Sequence, residues 1–202
     1  MVAVAMGLRT PANRARPVEG PDLTIGAALQ QAVSSRDYIL LTVGFFVCGL
    51  QLVFITTHLP TYLHDSGLSP NISSWALALI GLFNIVGSFV AGYMGGKFSK
   101  KYLLSTLYSL RSVTIAAFIV VPISTPSVLL FSVAMGLLWL STVPLTSGLV
   151  ATIYGTRYMG TLFGIVFFSH QIGSFLGVWL GGYFYDTTGS YDPIWWAGIA
   201  LG

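Results

Sequence analysis

The chain has 202 residues, of which 7% are charged and 54% hydrophobic, and its formal net charge is +3. Soluble domains carry about 25% charged residues, so this composition excludes that class and leaves a protein of the lipid bilayer. The small positive balance does not point to nucleic acid as a partner, because the basic residues are dispersed and no run of them interleaves with aromatics.

In chain order, Met1 to Leu8 is apolar but too short for a signal peptide, and Arg9, Arg14 and Arg16 follow it instead of preceding it. Segment 9–22 is Pro-rich and basic and reads as a cytoplasmic linker. Ile25–Leu40 suits a short helix leading into the membrane, with Ser34, Ser35 and Asp37 as capping residues for the next one. Five apolar segments of spanning length then follow: Tyr38–Leu63, Trp75–Gly96, Tyr102–Val121, Val128–Ile153 and Tyr158–Tyr185. The first contains Cys48, the one cysteine, which excludes an intramolecular disulfide and all cysteine-based metal spacings and reads as a small buried hydrophobe. A sixth segment opens at Ile194 (IWWAGIALG) and stops too soon to span, so it is expected to be a stub or the chain a piece of something longer. The opening MVAVAMGL, similar to the tail of a preceding span, points the same way.

Lys and Arg alternate by loop. The leader holds Arg9, Arg14, Arg16 and Arg36, and the second and fourth connections hold Lys97, Lys100, Lys101 and Arg157. The first, third and fifth connections hold only acidic charges, Asp65, Asp186 and Asp192. By the positive-inside rule the basic loops are expected to be cytoplasmic, in a multi-pass protein of the cell's inner (plasma) membrane.

Gly87, Ala91 and Gly95 recur at four-residue spacing in the second span, as do Gly173, Gly177 and Gly181 in the fifth. Small residues on one face let backbones approach closely in lipid, so both stripes are expected to be helix crossings. A shift of ninety places Gly87 on Gly177, Ala91 on Gly181, Gly92 on Gly182 and Tyr93 on Tyr183. The two spans end on opposite sides, which predicts two three-helix units of inverted topology, a transporter pattern.

The turn Gly92–Lys101 (GYMGGKFSKK) resembles the signature loop of the major facilitator superfamily, G-x-x-x-D-[RK]-x-G-[RK]-[RK]. Gly92, Lys97, Lys100 and Lys101 match, Gly96 stands where the family has Asp, and Ser99 stands where it has its second Gly. The resemblance implies the degenerate copy of that loop, between helices eight and nine. The fold is then an all-α transmembrane bundle, half of a major-facilitator fold, with helices seven to eleven and the start of twelve. It also implies a division into residues 1–36, a leader from the central loop, and 37–202, the C-terminal half with its last helix truncated. The missing N-terminal six-helix half becomes an implied partner. Longer stretches, such as GLLWLSTVPLTSGLVATIYGTRYMGTLFGIVFFSHQIGSFLG, are similar to bacterial monocarboxylate-transporter-like members.

Arg111 lies in the middle of the apolar third span, and it is the one charged residue between Lys101 and Arg157. A charge near the bilayer centre costs about 2.5–3.5 kcal/mol on insertion scales, and such residues commonly mark substrate or ion pathways. The midplane lies about ten residues from either end of a span, which also selects Gln51, Asn84, Ser141, Thr142, His170 and Gln171, with His58 nearer the outer end. Arg111 stays protonated and grips a carboxylate with two parallel hydrogen bonds, or it packs against neighbouring carbonyls on what the resemblance makes a peripheral helix. His170 is a proton relay or a packing histidine. Gln51, Asn84 and Gln171 orient a polar substrate or bond between helices. Pro60 and Pro144 are expected to interrupt their helices. No G-x-S-x-G or H-E-x-x-H is present, so an enzyme is not expected, nor is a cofactor or metal. These residues suggest a secondary transporter of a small organic anion, coupled to protons or working by exchange, and the resemblance implies a monocarboxylate. The alternatives are a non-transporting membrane fragment and a structural or sensory membrane protein.

Overall fold

The computed structural model describes residues 24–202; Arg9, Arg14, Arg16 and the 9–22 linker lie outside the described residues. Among the described residues the regular elements are eight helices: α1 (Ile25–Val33), α2 (Arg36–Asp65), α3 (Pro70–Lys97), α4 (Lys100–Val120), α5 (Thr125–Leu138), α6 (Thr142–Tyr154), α7 (Met159–Thr188) and α8 (Asp192–Leu201). Five spans are long and apolar enough to cross a membrane: α2, α3, α4, the combined α5–α6 and α7. Their starts carry the usual signals: Pro70 enters the first turn of α3, and Ser124 and Ser127 form a capping box at α5. Gly189 closes α7 at φ 70°, a left-handed conformation that a side chain disfavours.

The fourth span, read over Val128–Ile153, is interrupted near Pro144, as expected. It stops at Leu138 and restarts at Thr142. Pro144 explains the position, since its ring would strike the carbonyl of Leu140, four residues earlier, and it has no N–H to offer that oxygen. The Leu140 carbonyl instead accepts from Val143 N at 2.9 Å. Pro60, by contrast, does not interrupt α2, which runs unbroken from Arg36 to Asp65. Nearby, Thr56 Oγ1 turns back to donate to the Leu52 and Val53 carbonyls, each at 3.2 Å.

The glycine stripes are helix crossings. A Cβ added at Gly173 would lie 2.0 Å from the Phe46 carbonyl oxygen, and one at Gly177 would lie 2.3 Å from that of Leu50, so α7 meets α2 backbone to backbone. The mirror contact joins α3 to α5, where a Cβ on Gly87 would lie 2.0 Å from the Leu137 oxygen. The two crossings superpose in sequence: Gly49 abuts His170, and Gly136, 87 residues after Gly49, abuts Ile80, 90 residues before His170. Leu50 and Leu137 are likewise 87 apart, and their partners Gly177 and Gly87 are 90 apart. Inverted repeats require this exchange of partners: the first helix of each unit packs on the second helix of the other.

Candidate functional site at the broken helix

The interruption frees backbone groups in the middle of the fourth candidate span, and each left unpaired in lipid would cost several kcal/mol. Side chains from two other spans meet them, and one from a third, Cys48, braces the cluster. Arg111, in the middle of α4 and with none of its surface exposed, donates from Nη2 to the carbonyls of Leu138 at 2.7 Å and Trp139 at 2.8 Å. Its Nη1 donates to Cys48 Sγ on α2 at 3.1 Å, and Cys48 Sγ also lies 3.6 Å from Thr142 Oγ1 at the start of α6. From α3, Asn84 Oδ1 accepts the Leu140 N–H at 3.0 Å. Arg111 therefore sits at the negative end of α5, where a cation is favoured by the helix dipole. Its Tyr108 neighbour adds a ring 5.4 Å away.

Charge at this point is not compensated by a carboxylate. None of the three acceptors around Arg111 is a carboxylate, and its Nε is buried without a partner. Thr146 Oγ1, one turn into α6, is a second buried and unpartnered polar atom. Among the described residues no group of three His, Cys, Asp or Glu side chains is placed to hold a metal.

The other expected residues are distributed unevenly around this centre. Gln51 is 2% exposed and donates to the Gly198 carbonyl of α8 at 2.6 Å. That bond is the repeat-mate of the Arg111–Leu138 bond, because Gln51 and Leu138 are 87 apart, as are Arg111 and Gly198. His170 is buried on the α2–α7 crossing, stacked on Phe167 with centroids 5.6 Å apart; its Nδ1 is 3.3 Å from Ser174 Oγ and its Nε2 has no partner. Gln171, one residue on, is exposed and stands apart from the others. His58 lies near the end of α2, between Tyr191 Oη at 3.2 Å and the Val178 carbonyl at 3.0 Å.

The signature turn shrinks to Phe98 and Ser99, with Lys97 ending α3 and Lys100 opening α4. Lys97 Nζ is hydrogen-bonded to Tyr93 Oη, Lys101 Nζ lies 5.5 Å from the Tyr102 ring, and the stem of Lys100 rests against Gly148. Gly92 faces Pro144 of α6, close to the break. The residue that sequence reasoning missed is Cys48, taken for a filler although it stands one turn before Gln51 on the same face of α2.

A family model of the Major Facilitator Superfamily matches residues 3–202. The chain belongs to the major facilitator superfamily. Among curated relatives of this superfamily chain, the "Uncharacterized MFS-type transporter YcxA" of Bacillus subtilis (strain 168) is 32% identical over 163 residues, 78% of this chain and 39% of that protein. Monocarboxylate transporter 12-B of Danio rerio is 25% identical over 171 residues, 82% of this chain and 35% of its own length. Monocarboxylate transporter 12 of Rattus norvegicus is 26% identical over 161 residues, 77% of this chain and 32% of its own. The chain thus spans between about a third and two-fifths of the length of these relatives.

Proposed function

We propose that this chain is the C-terminal half of a secondary transporter that moves a small organic anion, a monocarboxylate, together with protons or by exchange. One observation carries the anion: the guanidinium of Arg111, buried at the break in the fourth span, meets no carboxylate. A cation that no carboxylate balances favours, in a low-dielectric layer, a negative guest, and the Arg fork suits a carboxylate. The names of the Danio rerio and Rattus norvegicus relatives support that class. His170, buried with a free Nε2, is the residue on which proton coupling would act, while Gln51 and Asn84 set the helices around the site. Gln171 and His58 belong to its margins. The test is uptake of radiolabelled lactate into proteoliposomes that hold this chain with its N-terminal half. Saturable uptake accelerated by an inward proton gradient or by internal monocarboxylate is expected. Saturable uptake of neutral or cationic solutes with none of lactate overturns the anion reading.

A second reading has its own observation: both Nη groups of Arg111 already serve the fold, bonded to α5 carbonyls and Cys48. The two roles differ in which property of an Arg111 variant changes.

The same proposal places the chain in the inner (plasma) membrane with Lys97, Lys100, Lys101 and Arg157 on the cytoplasmic side. Cysteines placed at Ser69 and Ser190 should react with an impermeant thiol reagent from outside, and one at Ser99 only after permeabilisation. Cys48 is fully buried and should stay silent in all three proteins. Labelling at Ser99 and Ser69 from one side would end this topology.

A further inference from the structure

Cys48 is the one cysteine of the chain, it is wholly buried, and its sulfur is shared among side chains of three other helices. From α4, Arg111 Nη1 donates to Sγ at 3.1 Å, and the Tyr108 ring lies 5.4 Å from the same guanidinium. From α6, Thr142 Oγ1 lies 3.6 Å from Sγ. From α7, His170 comes within interaction range of the sulfur, and its Nε2 has no partner. No carboxylate reaches this point. Among the described residues the acids are Asp37, Asp65, Asp186 and Asp192, and each stands in the first or last turn of its helix.

Arg111 stays charged, so something near it has to answer that charge. Of the three acceptors that it bonds, two are backbone carbonyls, and only the sulfur can ionise. A neutral thiol is a weak acceptor for so strong a donor, whereas a thiolate makes a pair of what would be a lone cation inside the bilayer. Tyr108 keeps its own proton, which it donates to the Gly44 carbonyl at 3.3 Å. A guest carboxylate changes the balance, because two anions on one guanidinium repel and one of them takes up a proton. Resting on the anion reading of Arg111 given above, we propose that Cys48 is the coupling residue: a thiolate against Arg111 in the empty transporter, and a thiol once the monocarboxylate has taken its place. The carboxylate replaces the thiolate on the guanidinium, and the freed sulfur gains one proton from water, with His170 beside it to pass that proton on. S–H is the one covalent bond formed. The site is neutral both empty and loaded, so both forms reorient in a low-dielectric layer without net charge, and a proton travels with each anion.

The test uses the intact transporter with Cys48 as its one cysteine. In weakly buffered detergent, lactate binding followed by calorimetry should draw a proton from solution for each anion bound, read with a pH indicator. Cys48→Ser, whose hydroxyl does not ionise, should bind lactate more tightly and draw none. In proteoliposomes the same variant should lose net uptake, because its empty form carries the bare charge of Arg111, while exchange of internal for external lactate persists and shows that it is folded. The infrared S–H stretch of the unaltered sulfur needs no variant: it should be missing from the empty protein and appear with lactate. Lactate bound without proton uptake, an S–H band in the empty protein, or full net uptake by Cys48→Ser overturns the coupling role. A parent that binds no lactate overturns the anion reading beneath it.

Discussion

Replacing Arg111 by glutamine in the intact transporter should reduce affinity for the anion by about thirty-fold or more. Removing one partner of a desolvated charge pair costs roughly 2–5 kcal/mol, and each 1.4 kcal/mol is tenfold. The same change strips the Leu138 and Trp139 carbonyls of their donor, and a buried unsatisfied group costs about 1–3 kcal/mol. Arg111→Lys keeps the charge but loses the planar fork, so it should fall between the parent and Arg111→Gln in both measurements. Affinity and melting temperature should therefore be read on the same samples. Unaltered affinity in a folded Arg111→Gln protein sinks the anion role, and an unaltered melting temperature sinks the role at the helix break.

The crossings give the second large effect. At Gly87 and Gly173 even a methyl group would sit 2.0 Å from a carbonyl oxygen, so Gly87→Ala and Gly173→Ala must push whole helices apart. Forcing extra volume into close packing typically costs about 1–3 kcal/mol, and a backbone wall yields less than a side chain. Both variants should melt lower and give less folded protein, whereas Gly164→Ala, with open space around it, should match the parent. Equal melting of Gly87→Ala and Gly164→Ala would show that the α3–α5 approach is looser than described.

The spans and the repeat were readable in the sequence because lipid imposes them so directly. Some twenty apolar residues mark a crossing, and glycines at four-residue spacing mark a face where backbones touch. Arg111 was conspicuous for a related reason, as the one charge inside an apolar run. Pro144 announced an interruption of the fourth span, but not that it falls at Leu138 or what meets it. Its partners to Arg111 are backbone carbonyls, which every residue type carries, and a proline such as Pro60 sits in a helix that continues. Counting along a span gives a residue's distance from its ends, but not which way it faces. His170 and Gln171 share a depth, yet a helix turns about 100° between them, and one is buried while the other is exposed. Cys48 escaped notice because its size and polarity suit a filler, and only its position beside Arg111 and Thr142 shows that it bonds.

The interruption of the fourth span also has a mechanical side. As one rigid rod, its basic end could tilt only if its other end tilted oppositely. Divided at Trp139–Ser141, its shorter piece, α6, is a lever of 13 residues, about 20 Å long, pivoted at the bilayer centre. A turn of about 10° at that pivot carries the far tip by roughly 3–4 Å while α5 stays still. Tyr154 stands at that tip with its ring edge-on to Tyr38, 5.7 Å between centroids, and Tyr38 is in turn hydrogen-bonded to the Leu162 carbonyl at 2.7 Å. A swing of α6 would therefore be felt first at the start of α2 and the first turn of α7, at the opposite end of the spans from Tyr185 and Asp65.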